Sequence, residues 1–366
     1  MNKIRKMLPL ATTALLAACV NDSEPQLVAQ ATGEPISFST AISPATRNSF
    51  VEGNFTEFKV SATGNSETYF TGLTVSKTTT EGVSTWAPAA EDEKNWPGYA
   101  LKFYAYAPTD LTGVSITNSG QTVTDFTPSA TVASQTDLIT TYNTGTAGTV
   151  SLNFKHALSQ IEVLATNDNT TDYTVKVIGV KLGKIPSTAT MNFQQTTTDY
   201  ASWGTASTPA TYLLRGTADD VVTLNGEAQS IMFGDDCFQL IPQQLSAWTA
   251  GASADGAYLS VLCQIIKNDG NLQVYPDDNG KYGYSAVPID TQWKPGHKYV
   301  YTLNFFKNGG AGQIDPDPVP SGDDIDPSPG GDGSEGGNPV AGGKITYSVS
   351  ITDWVTEDGD RKDIDL

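Results

Sequence analysis

The chain has 366 residues, a formal net charge of −19 at pH 7 and 38% hydrophobic residues. That length holds one or two domains. The acid excess repels phosphate backbones and anionic membrane surfaces, which argues against nucleic acid as a partner.

The first nineteen residues fix the compartment. Lys3, Arg5 and Lys6 form a basic start, and Met7 to Ala18 is an apolar run. A bilayer-spanning helix needs about 20 apolar residues, so residues 1–18 read as a signal peptide and not as a span. Leu16-Ala17-Ala18-Cys19 resembles the bacterial lipobox, in which a peptidase cuts before a cysteine that then carries lipid. The alternative is an ordinary secretory signal with a chance cysteine. Several acyl chains on Cys19 would hold the chain to outer-membrane lipid, since each buried CH₂ contributes about 0.8 kcal/mol. Asp22 and Glu24 suit an acidic surface-export signal. Loss of residues 1–18 removes three positive charges and no acids, taking the net charge to −22. Residues 19–33 are small and polar and form a tether.

The body is all-β. It is rich in Thr, Val, Tyr, Ile and Phe, in short alternating runs broken by Gly, Asn, Asp and Pro, the pattern of a sandwich of many short strands. Leu101, Phe103 and Ala105 share one face, as do Val150, Leu152 and Phe154. Tyr173, Val175 and Val177 make a third such face, and Tyr299, Tyr301, Leu303 and Phe305 a fourth. No window of twelve residues after the signal holds a helical period.

Two runs at the ends of the body alternate cleanly. Ile36, Phe38, Thr40 and Ile42 interleave with Ser37, Ser39 and Ala41, and Pro44 and Arg47 follow. Ile345, Tyr347, Val349 and Ile351 interleave with Thr346, Ser348, Ser350 and Thr352, and Trp354 closes the run. A strand at the end of a sandwich either completes its own sheet or is exchanged with a neighbour's, its main chain giving affinity and its alternate side chains specificity. Between the body and the second run, residues 307–343 are rich in Gly, Pro and Asp. They read as an acidic disordered linker, too poor in apolar side chains to offset the entropy of ordering. A flexible stretch of that length has an r.m.s. span of about 30–35 Å, enough to reach a neighbour. A calcium loop is the other reading of its aspartates, but the ligand spacing and central glycine are missing. Residues 356–366 form an acidic tail.

No catalytic constellation emerges. His156 and His297 are the only histidines, and neither has converging partners nearby in sequence. The apolar phase shifts between Phe154 and Ile161, which puts His156 at a kink with a structural hydrogen bond, while His297 sits beside the Pro295-Gly296 turn. Cys237 and Cys263 lie in strand-like runs, so a disulfide is permitted by the compartment but not specified. The pairs Asp219-Asp220, Asp235-Asp236 and Asp277-Asp278 sit in turn-like contexts, and no elbow or phosphate loop appears. The chain reads as a non-enzyme without cofactor or metal. Trp86, Trp96, Trp203 and Trp248 either cap the sandwich ends or stack on sugar rings, and the second option makes a monomeric glycan-binding lipoprotein the rival reading.

Several phrases together resemble the fimbrillin (Mfa-like) family of lipoprotein pilins. They are Ile36-Ser37-Phe38 with Thr46-Arg47 after it, Phe103-Tyr104-Ala105-Tyr106-Ala107-Pro108, Asp137-Leu138, and the run from Val150 through His156 to Ile161. Leu240-Ile241-Pro242-Gln243, Trp293-Lys294-Pro295-Gly296-His297-Lys298-Tyr299-Val300-Tyr301 and Ile351-Thr352-Asp353-Trp354 complete the set. The resemblance implies two tandem transthyretin-like β-sandwich domains, placed here at 34–147 and 148–306, with 344–355 as a terminal strand. It implies a pilus subunit, structural or tip, that serves adhesion at the cell surface and joins other fimbrillin subunits by strand exchange. Its partners would be those subunits, membrane lipid through Cys19, and a host glycan or protein receptor. In stalk-forming relatives a trypsin-like protease cuts after an arginine beyond the first strand, and Arg47 is the matching position. The first strand then leaves, and a neighbour's terminal strand fills the groove. The long acidic insertion before the last strand departs from the family pattern and leaves stalk, tip and anchor roles open.

Overall fold

A computed structural model describes residues 33–42, 49–51, 53–234, 237–249, 255–317, 322–331, 335–354 and, for the backbone alone, 362–364. The signal peptide, Cys19 and Arg47 lie outside the described residues. Among those described, strands dominate and the only helical elements are three single 3₁₀ turns.

Nine strands arise in the first part of the chain: β1 (Ser37–Ile42), β2 (Glu57–Gly64), β3 (Glu67–Thr80), β4 (Val83–Ala87), β5 (Leu101–Ala107), β6 (Val114–Ile116), β7 (Gln121–Phe126), β8 (Ile139–Gly145) and β9 (Thr149–His156). Seven of them follow one another in the order β1-β4-β3-β2-β5-β8-β9, and β9 returns to β1, so the sheet closes on itself. Inward-facing residues fill the interior, as alternation requires. Phe38 meets Phe58 and Phe103 edge-on, each at 6.1 Å, and Phe154 packs 5.0 Å from Phe55 and 5.3 Å from Phe58.

The rest supplies β10 (Ser159–Asn167), β11 (Tyr173–Asn192), β12 (Ser202–Trp203), β13 (Ser207–Arg215), β14 (Val222–Thr223), β15 (Gln229–Ser230), β16 (Phe238–Leu240), β17 (Tyr258–Lys267), β18 (Leu272–Tyr275), β19 (Gly283–Pro288), β20 (His297–Phe305), β21 (Gln313–Ile314), β22 (Thr346–Asp353) and β23 (Lys362–Ile364). They form a sandwich. One sheet runs β15-β10-β20-β22-β23 and the other β21-β19-β17-β11-β7-β6. Between them lie Val175 and Val177 of β11, Val261 and Cys263 of β17, and Tyr299, Tyr301, Leu303 and Phe305 of β20. Cys263 is wholly buried, which pushes its thiol well up, and it forms no disulfide with Cys237.

The strand Thr149–His156, which the boundary expected at residue 147 assigns to the second domain, packs in the first ring. Val150, Leu152 and Phe154 pack inside the first ring, where β9 pairs with β1 and β8. Alternation announces a buried face but does not say which core receives it. The two units also interlock, because β7 of the first part pairs with the far end of β11, with Val123 opposite Met191. This contact explains why β5 is buried on both faces. Leu101, Phe103 and Ala105 face the ring interior, while Tyr104 and Tyr106 join Val123, Met191, Phe193 and Trp354 in an apolar layer between the units.

The expected disorder of 307–343 is also corrected. Its described residues extend the sheet at the β19 edge, add Ala311, Ile314 and Val340 to the core between the sheets, and cover part of the outer face. Gln313 and Ile314 form β21 against Ala286 and Ser285 of β19, and Ile325 is buried against Ile178, Leu262 and Tyr284. Gly312 has φ +110°, and a Cβ there would sit 2.0 Å from Ser285 Oγ, so only glycine lets the segment lie this close. Three aspartates meet three cations of the sheet. Asp315 lies 2.7 Å from Lys181, Asp317 lies 3.1 Å from Lys184, and Asp324 pairs with Arg215. A composition rule treats such aspartates as solvated; it cannot see cations more than one hundred residues upstream.

The assignment of β9 to the first ring predicts that Phe154→Ala lowers stability by about 3–5 kcal/mol, the cost of emptying a large aromatic site. Urea unfolding followed at the Trp96 indole, in the same core, checks it. A loss below about 1 kcal/mol would contradict the assignment.

Candidate functional site: two terminal strands and their groove

β1 is held unequally on its two sides. Toward β9 it makes a parallel ladder of six register pairs, from Ser37 opposite Thr149 to Ile42 opposite Phe154. Toward β4 there is one pair, Phe38 opposite Trp86. A cavity of ≈ 510 Å³ opens along the weakly paired side, lined by β1 itself, Phe55, Lys77, Ser84 and Trp86. Ile36 and Phe38 are buried, Thr40 and Ile42 half-buried, and Ser37, Ser39 and Ala41 exposed. On the exposed face Ser37 and Ser39 pair with Thr149 and Ser151 through hydroxyls at 2.8 and 3.1 Å.

After residues 43–48 the chain is anchored at once. Ser49 is buried and its carbonyl accepts from the Asn54 amide at 2.9 Å. The Phe50 backbone N–H donates to Asp137 Oδ2 at 3.0 Å. The same carboxylate oxygen lies 2.8 Å from His156 Nδ1, with both side chains almost fully buried. The His156 ring stacks on the Trp354 indole, centroids 4.3 Å apart and 11° from parallel. Trp354 is pinned in turn by its backbone N–H to the Gly296 carbonyl at 2.7 Å. The expected structural role of His156 is thus realised. Its ring joins the chain start, the link between units and the end of the last strand. The partner Asp137 lies nineteen residues away and could not be paired with it by spacing alone. The indole of Trp354 stacks on this buried His–Asp pair and helps fix its position. His297 Nδ1 lies 2.8 Å from the Pro295 carbonyl, as its turn position suggests.

β22 pairs antiparallel with β20 over eight positions, from Thr346 opposite Asn304 to Asp353 opposite His297. Ile345 and Val349 are buried, and Tyr347 and Ile351 are half-buried against the same core. Burial, and then nearby Asp290, pushes the Tyr347 hydroxyl up. Beyond β22, among the described residues, the sheet has only the three-residue β23. In this structure both terminal strands complete sheets of their own chain.

Side by side the two strands share a pattern. Residues 36–42 read Ile-Ser-Phe-Ser-Thr-Ala-Ile and residues 345–351 read Ile-Thr-Tyr-Ser-Val-Ser-Ile. The first, fourth and seventh positions are identical. The inward set Ile36, Phe38, Thr40 and Ile42 corresponds to Ile345, Tyr347, Val349 and Ile351, where Phe–Tyr and Thr–Val are matched in shape. Each pattern was legible alone; their equivalence needed an alignment of one end of the chain against the other.

The remaining candidates behave differently. Trp96 and Trp248 are buried, Trp96 inside the first ring and Trp248 against Tyr258. Trp86 is half-buried at 4.9 Å from Phe55. Trp203 donates its indole N–H to the Ala157 carbonyl at 2.8 Å and lines a cavity of ≈ 610 Å³ with Gln243, Gln244 and Asp255. No group of three metal-ligating side chains occurs among the described residues. Asp220 caps its own turn through Thr217, Asp278 pairs with Lys281, and Asp235-Asp236 lies outside the described residues.

Comparison with known proteins agrees with this architecture. A fimbrial protein of Bacteroides vulgatus superimposes with a TM-score of 0.51 at 17% identity, covering 88% of this chain and 99% of that one, a likeness of fold. Candidate cell adhesion proteins of Bacteroides ovatus and Bacteroides uniformis align with TM-scores of 0.48 and 0.47 at 16% and 15% identity, each over 89% of this chain and over 99% and 100% of theirs. No curated protein matches the chain. The model of the fimbrillin-like family matches residues 44–315, most of the body described above. The chain belongs to the fimbrillin-like family.

Proposed function

We propose that this chain is a cell-surface lipoprotein, held to the outer membrane through lipid on Cys19, that serves as a structural or tip subunit of an adhesive pilus. Its role is mechanical and not enzymatic. Cleavage after Arg47 releases β1, and residues 344–355 of a neighbouring subunit enter the groove. The observation that carries the reading is the equivalence of residues 36–42 and 345–351.

The energetics favour exchange once β1 is gone. Its departure exposes Phe58, Phe103 and Leu152 and leaves the β9 edge unpaired. Apolar area returned to water costs about 25 cal/mol per Å², and an open strand edge invites another strand. A donor entering parallel to β9 puts Ile345 in the place of Ile36, Tyr347 in that of Phe38, Val349 in that of Thr40 and Ile351 in that of Ile42. The donor gives up its ladder with β20 and gains one with β9, so backbone pairing nearly cancels and the vacated groove supplies the drive. Release of β1 is eased by its single pairing with β4. What remains after cleavage stays anchored through Ser49 and Phe50. The monomeric glycan-binding alternative keeps one foothold, the cavity beside Trp203. A glycan array on the folded ectodomain, giving saturable sugar binding without fibres, would favour it.

Incubating the lipoprotein with an arginine-specific protease is expected to yield a new N-terminus at Asn48 and to trigger assembly, and Arg47→Ala is expected to abolish both. Assembly with the Arg47–Asn48 bond intact would overturn the cleavage step. A synthetic peptide of residues 344–354 is expected to bind the cleaved subunit and not the uncut one. Val349→Lys in that peptide puts a charge into the groove and is expected to weaken binding by about 100-fold or more, while Ser348→Lys on the outer face leaves it nearly unchanged. Fluorescence anisotropy of labelled peptides checks both; equal loss from the two variants would contradict the stated inward face.

A further inference from the structure

The docked insertion contains a pair that its other contacts do not explain. Lys181 Nζ lies 2.7 Å from Asp315 Oδ2, and the two side chains are 2% and 0% exposed. Lys181 sits mid-strand in β11, between Leu213 of β13 and Ser260 of β17. Asp315 follows β21 directly and its other oxygen accepts from the Asp317 backbone N–H at 3.0 Å. Two aromatic rings enclose the ammonium, with Tyr284 at 4.7 Å and Tyr258 at 5.4 Å from Nζ to ring centroid. The Tyr258 hydroxyl donates to the Asp317 carboxylate and also adjoins that of Asp315. Removing two such charges from water is costly, and replacing them by a neutral linkage would remove that cost.

We propose that Lys181 and Asp315 condense spontaneously into an intramolecular isopeptide bond that clips the 307–343 segment covalently to the centre of the large sheet. The carboxyl carbon of Asp315 is one bond beyond the oxygen that lies 2.7 Å from Nζ, so it is no more than about 4 Å from the amine nitrogen. Proton transfer within the pair leaves an amine and a carboxyl group. The Nζ–Cγ bond forms, one Cγ–O bond breaks, and that oxygen leaves as water carrying two of the three ammonium protons. An ammonium and a carboxylate become one neutral amide and one water, with no change of oxidation state and no co-reactant. The Tyr258 hydroxyl, in reach of both carboxylates, relays the protons. Aromatic walls and the packed segment exclude the bulk water that would stabilise the separated charges.

The chemistry does not depend on the pilus reading. Joined to that reading it has a mechanical consequence. Residues 316–344 connect the clip to the donor strand, so tension on residues 345–351 would be shared at Asp315 between β11 and the β19 strand to which β21 is paired.

Mass spectrometry of proteolytic peptides from the purified full chain tests the bond directly. The expected result is a branched species joining the peptides that contain Lys181 and Asp315, lighter than their sum by one water. Lys181→Arg is expected to give the two peptides separately. Asp315→Asn is expected to restore the branched species with loss of one ammonia from the sum, which identifies the carboxyl carbon as the acceptor. Recovery of both peptides unlinked from folded wild-type protein would overturn the proposal, whatever the fibres do. The wild-type measurement decides even where a variant fails to fold.

Discussion

The parallel ladder between Ser37–Ile42 and Thr149–Phe154 is what closes the first ring of strands, and most of the molecule's organisation follows from it. Because β1 lies between β9 and β4, its inward residues Ile36 and Phe38 complete a core whose other walls are phenylalanines from β2, β5 and β9. Toward β4 its ladder has one pair, beside main-chain bonds of residues 34–36 with 94–96, and a cavity opens along that edge. A strand held mainly from one side can be lost without dismantling the other strand pairings, since β2, β3, β5 and β8 pair among themselves. The same strand cannot be lost without cost, because it carries buried aromatic surface. The proposed strand exchange would draw on that combination, a strand laddered mainly on one side over an oily groove.

The two units form one interlocked body. β11 pairs with β17 and β13 in the sandwich and then continues to meet β7 from the first part. Trp354, Tyr104, Tyr106 and Met191 fill the seam, and His156 couples that seam to Asp137 and to the backbone just beyond residue 48. The end of the last strand and the start of the retained chain therefore meet in one cluster. Withdrawal of β22 would pull Trp354 away from His156, so donation by a subunit would loosen the anchor of its own start.

Much of this was legible in the sequence, for definite reasons. The alternation in 36–42 and 345–351 gave the inward faces correctly, since a period of two leaves no choice once one side is apolar. The phase shift after Phe154 marked a kink at His156, but not that the chain passes from one unit to the next there. What escaped was long-range pairing. The strand 149–156 has a face suited to either core, and only its partners β1 and β8 settle the matter. The aspartates of 307–343 looked solvated because Lys181, Lys184 and Arg215, which receive them, lie on strands far upstream. Tyr104 and Tyr106 lie on the other face of β5, and nothing local foretells that a second unit will cover it. Charge complementarity and shared faces are properties of pairs of segments, and a reading along one segment cannot supply them.

The central claim is that residues 345–351 are a replacement for residues 36–42 in a neighbour's groove. Electron cryomicroscopy of assembled fibres tests it most directly. The account predicts Ile345 to Ile351 running parallel to β9 of the adjacent subunit, with the Tyr347 ring between Phe58 and Phe103 and residues 36–42 gone. Fibres in which Phe38 still fills that position, or in which residues 345–351 remain on their own β20, would contradict it.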